Sequence, residues 1–140
     1  MIRAVALAVL LVSCGPERVT VTLVARSQGL ARPSDVASWD LWVLSGETRE
    51  GAVVECAPFA SEGFTPITRD LVVLIPPVVG AELSNDATIA VRGIPPSAAP
   101  CVFVMRLFTA PDRRGDQIGV ACTRVTVPPG SHVSVDVLVQ

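Results

Sequence analysis

The stretch Val19-Thr-Val-Thr-Leu-Val-Ala-Arg26 decides the fold class. Its residues alternate in polarity: one face carries Val19, Val21, Leu23 and Ala25, and the other carries Thr20, Thr22 and Arg26. Alternation with a period of two is typical of a β-strand with one buried face, because successive strand side chains point to opposite sides. The stretch therefore predicts a half-buried strand and not a helix.

The same alternation returns at the C-terminus, at Val133, Val135, Val137 and Val139. Further β-rich runs lie between these ends, near 39–44, 52–56, 67–75, 87–92, 101–109 and 117–127. The chain has 12 prolines, and Ile/Val-Pro-Pro triplets at 75–77, 94–96 and 127–129 are suited to ending strands. We predict an all-β fold, an antiparallel β-sandwich of seven or eight strands over residues 18–140, with an up-and-down barrel as the second choice.

The N-terminus has the features of an export leader. Arg3 supplies a positive start, an apolar run follows from Ala4 to Val12, and Ser13 precedes a cysteine. The run is far shorter than the roughly 20 residues that a transmembrane helix needs. We therefore expect residues 1–13 to be a signal peptide and not a permanent membrane span.

The end of the leader, Leu11-Val12-Ser13-Cys14, resembles the lipobox of bacterial lipoproteins. The resemblance implies cleavage before Cys14, diacylglycerol on its sulfur and a further acyl chain on the new amino group. Two or more acyl chains hold a protein firmly to a bilayer, so residues 14–17 are expected to be a lipidated tether. Gly15 is not the aspartate that retains such proteins at the inner membrane, which favours the outer membrane.

Composition excludes a nucleic-acid partner. Without the leader, ten arginines face 13 acidic residues, which gives a formal charge near −3. The arginines are scattered from Arg18 to Arg124, whereas nucleic-acid binding requires a clustered basic face.

Three cysteines remain behind the leader: Cys56, Cys101 and Cys122. An exported chain meets an oxidising compartment, so we expect a disulfide bond. A register that sets Cys101 opposite Cys122 also places on the same sheet face the pairs Phe103–Val120 and Met105–Ile118. This coherence favours a Cys101–Cys122 bridge, and a bridge from Cys56 to either cysteine stays open.

Parts of the C-terminal third resemble the short immunoglobulin-like or prealbumin-like β-sandwich modules of bacterial envelope lipoproteins. The similar stretches are Gly93-Ile-Pro-Pro96, Cys101 with its strand, Cys122, and Val125-Thr-Val-Pro-Pro-Gly130. The resemblance implies a sandwich fold and export, and it transfers no site residue.

No catalytic, metal or cofactor site is predicted. His132, the single histidine, has no His or Cys partners at metal-binding spacing, and there is no Gly-x-Ser-x-Gly motif. Trp39 and Trp42 lie three residues apart in a strand-like run and so point to opposite faces, one into the core and one more exposed. They are the candidate ligand contacts.

We therefore expect a non-catalytic, membrane-anchored envelope protein that acts as a structural or interaction module. Its partners would be the membrane, through the lipid, and an envelope protein or a glycan. The alternative is a ligand-binding sandwich, with a glycan contacted through Trp39 or Trp42.

Overall fold

A computed structural model describes residues 19–27, 35–60, 70–81, 83, 87–96, 100–128 and 132–139 of the chain. These residues form seven strands in two sheets that pack together, which confirms the predicted all-β sandwich. The strands are β1 (Val19–Ser27), β2 (Ser38–Ser45), β3 (Val78–Gly80), β4 (Ala87–Ile94), β5 (Cys101–Ala110), β6 (Arg114–Val125) and β7 (His132–Val139). Short 3-10 helices lie at Ala57–Ala60 and Pro111–Arg113.

The predicted leader, residues 1–13, and the tether at 14–17 with Cys14 lie outside the described residues. Within the described ranges, no helix has the length and apolar character needed to cross a membrane. Export and lipidation therefore remain predictions.

β1 is the central strand of a three-stranded sheet with the order β4-β1-β7. The predicted alternation is visible in its burial: Val21 and Leu23 are buried, while Thr22 between them is partly exposed. Leu23 lies opposite Ile89 on β4 and Val135 on β7, and both partners are buried. A row of buried side chains thus crosses all three strands.

One pair departs from the predicted antiparallel arrangement. β1 runs antiparallel to β4 but parallel to β7. Parallel neighbours need a long connection, and here the first and last strands of the domain are joined by all the chain between them. The parallel pair therefore needs no dedicated crossover helix.

The second sheet has the order β3-β2-β5-β6, and its neighbouring strands are antiparallel. Its inner face meets the three-stranded sheet through cross-strand pairs of β2 and β5, namely Trp39–Leu107, Leu41–Met105 and Val43–Phe103. All six side chains are at most 7% exposed. Burial of each large apolar side chain contributes about 1.5–3 kcal/mol, so this inner core is the main stabilising element of the fold.

The outer face of the four-stranded sheet is buried as well. Leu44, Val102 and Val104 point away from the inner core yet are 0% exposed. Val54 and Phe59, from the connection between β2 and β3, pack on them. We call Leu44, Val54, Phe59, Val102 and Val104 the outer cluster, and we call described residues 46–59 and 70–75 the cover.

The cover contains the described parts of two runs that the sequence pattern assigned to strands. Residues 52–56 contain only an isolated bridge between Val53 and Glu47, and the described part of 67–75 contains only a bridge between Val73 and Leu44. Residues 67–69 lie outside the described ranges. Val54, Phe59 and Leu71 of the cover pack in or against the outer cluster, while Leu74 and Ile75 pack against the inner core. Both runs therefore bury apolar side chains without forming regular strands.

Candidate functional site

A buried ion pair lies on the outer face of the four-stranded sheet. Asp40 on β2 is directly opposite Arg106 on β5. The Nε of Arg106 donates a hydrogen bond to Oδ1 of Asp40 at 2.9 Å, and its Nη2 donates to Oδ2. The Asp40 side chain is 0% exposed and that of Arg106 is 16% exposed. A carboxylate so far from water requires such a bidentate partner.

Two aromatic rings flank the guanidinium of the pair. The Cζ of Arg106 is 5.2 Å from the ring centroid of Phe108 and 5.9 Å from that of Trp42. Phe108 is two residues along β5 from Arg106, and Trp42 is two residues along β2 from Asp40, so strand periodicity places all four side chains on one face. Cation–π attraction adds to the ion pair.

Ser38 fixes the turn between β5 and β6 next to this pair. Its Oγ donates to the carbonyl oxygen of Ala110 at 2.6 Å and accepts from the backbone N–H of Arg113 at 2.8 Å. Asp112 and Arg113 have φ angles of 57° and 60°, in the left-handed region that L-residues avoid. The bonds from a serine that is 2% exposed hold this turn in place. The Nη1 of Arg113 also comes within 4.0 Å of Oδ2 of Asp40.

A small pocket of about 270 Å³ opens where β2, β3 and this turn meet. Its lining consists of Ser38, Trp39, Val79, Gly80, Ala81, Pro111, Asp112 and Arg113. Ligand pockets are commonly about 300–1,000 Å³, so the volume suits one small chemical group. Apolar residues of β3 form one side and the polar turn forms the other.

The two tryptophans lie on opposite faces, as predicted. Trp39 is 7% exposed and belongs to the inner core, with its indole against the backbone of Gly80. Trp42 is partly buried beside the outer cluster. Trp39 therefore lines the pocket without offering an open ring face, and Trp42 is not part of the pocket lining.

The indole N–H of Trp42 is a buried polar group on the outer face of the four-stranded sheet. Its Nε1 is buried and has no hydrogen-bond partner among the described residues.

The disulfide bond joins Cys56 to Cys122, with 5.5 Å between their Cα atoms, and leaves Cys101 as a buried thiol. The predicted Cys101–Cys122 pairing is therefore wrong. Cys101 lies opposite Val125, and Cys122 lies opposite Val104. This register differs by three residues from the predicted one and so places Cys101 and Cys122 on opposite faces of the sheet.

The bridge ties the cover to the sheet. Cys56 immediately precedes the 3-10 helix of the cover, and Cys122 lies on β6 beside the outer cluster. The remaining cysteine faces the inner core, where burial raises the pKa of the Cys101 thiol. Cys101 is therefore a protonated core residue at neutral pH and not a reactive thiol.

Within the described residues, no group of three or more His, Cys, Asp or Glu side chains lies together as a metal-binding set. His132 begins β7, and its side chain lies outside the described part. The buried polar side chains of the described core are Ser38 and Asp40, and both have the structural bonds given above.

Sequence reasoning missed the Asp40–Arg106 pair and the role of Ser38. A signal was present, because Asp40 and Arg106 are each a lone charge inside an apolar run, Trp39–Leu44 and Cys101–Phe108. Two opposite charges in neighbouring buried strands are expected to pair.

Comparison with known proteins does not assign the chain to a family. No family model, curated protein or solved structure matches it. The function of the chain is therefore inferred from its own residues and geometry.

Proposed function

We infer that the chain is a non-catalytic, lipid-anchored module of the bacterial cell envelope, held at the outer membrane through Cys14, with a structural or interaction role. The observation that carries the proposal is the sequence Leu11-Val12-Ser13-Cys14 at the end of an apolar leader. A disulfide-bonded sandwich supports it, because disulfides persist in oxidising compartments outside the cytosol.

The position of the first strand limits the distance between the proposed lipid anchor and the domain. β1 begins at Val19, so residues 15–18 alone separate it from Cys14. A chain spans at most about 3.3–3.6 Å per residue, so the anchor lies within about 18 Å of the sandwich. The proposed anchor therefore holds the domain close to the bilayer surface.

An interaction role is supported by the sheet edges. In the described part of the chain, β4 and β7 are the edges of one sheet, and β3 and β6 are the edges of the other. A strand at an edge has backbone donors and acceptors that a partner strand can use. An envelope protein that adds a strand is the kind of partner that these edges suit.

The lipid anchor is tested by Cys14→Ala. The variant is expected to leave the membrane fraction and to lose metabolic labelling by a fatty acid, because the acylated sulfur is absent. Fractionation followed by immunoblotting measures the first effect, and Cys101→Ala, at a buried core position, is the control. A Cys14→Ala protein that fractionates with membranes like the wild type would contradict the anchor.

Glycan binding is the alternative function, favoured by the pocket beside Trp39. The indole is 7% exposed, so a sugar would contact its edge and the apolar side of β3 without stacking on the ring. Titration with N-acetylglucosamine is expected to give saturable NMR shifts at the amides of Val79 and Ala81. Amides that do not respond would remove this alternative.

A further inference from the structure

We propose that the pocket between β2, β3 and the β5–β6 turn binds a small carboxylate with an apolar body, and that the guanidinium of Arg113 holds the carboxylate. This site goes beyond the proposed envelope role, because it requires neither the lipid anchor nor a glycan. The Cys14→Ala variant should therefore bind the same carboxylates, so that failure of the anchor and failure of this site are distinguishable.

The first observation is that Arg113 occupies a turn position that favours glycine. Residues 111–114 form a two-residue hairpin turn, in which the N–H of Arg114 donates to the carbonyl oxygen of Pro111. The central residues, Asp112 and Arg113, have φ angles of 57° and 60°. Turns with two positive φ angles favour Asn or Asp at the first central position and Gly at the second. Asp112 therefore suits the turn, whereas the long side chain at 113 is there in spite of a steric penalty.

The contact of Arg113 inside the fold does not account for this side chain. Its Nη1 lies 4.0 Å from Oδ2 of Asp40, which is the outer limit of an ion pair. Both carboxylate oxygens of Asp40 already accept hydrogen bonds from Arg106. These three charges sum to +1, and the Arg113 side chain is 44% exposed, so a ligand can reach it. Residues in disfavoured backbone conformations cluster at ligand sites, and Arg113 fits that pattern.

The pocket places an apolar wall beside this cation. Pro111 and Arg113 line it on the side of the turn, and Val79 lines it on the side of β3. Val79 is 56% exposed, so its side chain is available for contact with a ligand. The volume of about 270 Å³ limits the ligand to a small body.

These features together indicate a carboxylate as the ligand group. A guanidinium donates two parallel hydrogen bonds to a carboxylate, and such charge-assisted pairs are stronger than neutral ones. The apolar wall then contacts the rest of the ligand. A carboxylate on a short apolar body occurs in a free short-chain acid and at the C-terminus of a peptide whose last residue is apolar.

A buried side chain holds the turn in its binding conformation. Ser38, which is 2% exposed, accepts a hydrogen bond from the N–H of Arg113 at 2.8 Å and donates one to the carbonyl oxygen of Ala110 at 2.6 Å. The backbone at Arg113 is thus fixed from β2 without a ligand. A site that is already ordered loses less conformational entropy on binding.

Asp112 is the acidic residue of the lining, and its charge opposes an anionic ligand. It is exposed, so water and salt screen the repulsion. Asp112→Asn keeps a residue that suits the turn and should strengthen carboxylate binding about twofold, the size of an exposed charge interaction. Weaker binding by this variant would indicate a cationic ligand group and would overturn the proposal.

The test is an NMR titration of the full-length chain in detergent with matched acids and amides. Isovalerate and isovaleramide represent the free acid, and the peptide Ala-Ala-Ala-Val with a free or an amidated C-terminus represents the peptide source. Saturable shifts at the amides of Val79 and Arg113 are expected with at least one carboxylate, and the carboxylate that binds identifies the source. Its amide should bind at least about tenfold more weakly, because a charge-assisted hydrogen bond is lost.

Two outcomes of this titration would overturn the proposal. One is equal binding of an acid and its amide, which would show that the carboxylate is not recognised. The other is the absence of shifts with both carboxylates. If N-acetylglucosamine shifts the same amides in that case, the pocket belongs to the glycan alternative.

Two variants separate binding by Arg113 from a structural role. Arg113→Gly should bind the carboxylate at least about tenfold more weakly. It should unfold at a urea concentration no lower than the wild type, because glycine adopts the left-handed conformation without a steric penalty. Arg124→Gln, at an exposed arginine of β6 outside the pocket lining, is the control and should bind like the wild type. An Arg113→Gly protein that is less stable but binds unchanged would overturn the proposal.

Discussion

Replacement of Asp40 by alanine is expected to lower the free energy of unfolding by about 3–5 kcal/mol. The reason is the charge that remains: the guanidinium of Arg106, which is 16% exposed and lies between Trp42 and Phe108, would lose its carboxylate partner. Urea denaturation followed by circular dichroism measures the change. The total stability of a domain is commonly about 5–15 kcal/mol, so this one substitution removes a large share.

Two controls separate the loss of this ion pair from a general effect of truncation. Glu50→Ala changes an exposed carboxylate and is expected to alter stability by no more than about 0.5 kcal/mol. The double variant Asp40→Leu with Arg106→Met removes both charges and should recover part of the loss, because apolar pairs can replace buried ion pairs. An Asp40→Ala protein as stable as the wild type would contradict the buried pair.

Truncation of Phe103 to alanine is expected to cost about 3–5 kcal/mol of unfolding free energy. Phe103 is 0% exposed and lies in the inner core opposite Val43. Its loss leaves a cavity in the packed layer between the two sheets. Val53→Ala is the matched control, since Val53 is 53% exposed on the cover and should change stability little. Equal losses of stability at the two positions would contradict the burial of Phe103 in the inner core.

Most strands of this fold can be predicted from local sequence pattern, whereas the burial of the outer cluster cannot. Alternation in 19–26 and the apolar runs at 39–44 and 101–109 indicate β1, β2 and β5, because periodicity is a property of the strand itself. β2 and β5 carry apolar side chains on both faces, and sequence alone does not say what buries those of the outer face. That answer depends on where the cover folds, which is set by tertiary contacts.

The register between β5 and β6 was the other feature that local sequence pattern could not predict. The turn between β5 and β6 is centred on Pro111–Arg113, and β6 already starts at Arg114. The turn needs two left-handed residues that are not glycine, held by Ser38 from a distant strand. Because such support comes from outside the hairpin, the hairpin sequence could not reveal it. At the turn, Ala110 pairs with Arg114, one residue away from the predicted register, and the two irregularities between Leu107 and Ala110 add two more residues. This three-residue error gave the wrong disulfide and hid the link between the cover and β6.

Mapping the disulfide on the unreduced chain tests the β5–β6 register and the cover together. Trypsin cleavage at Arg49, Arg69, Arg92, Arg106, Arg114 and Arg124 places the three cysteines in separate peptides, 50–69, 93–106 and 115–124. Mass spectrometry is expected to find peptide 50–69 linked to 115–124, with Cys101 as a free thiol in 93–106. A link between 93–106 and 115–124 would contradict both the register and the closed cover.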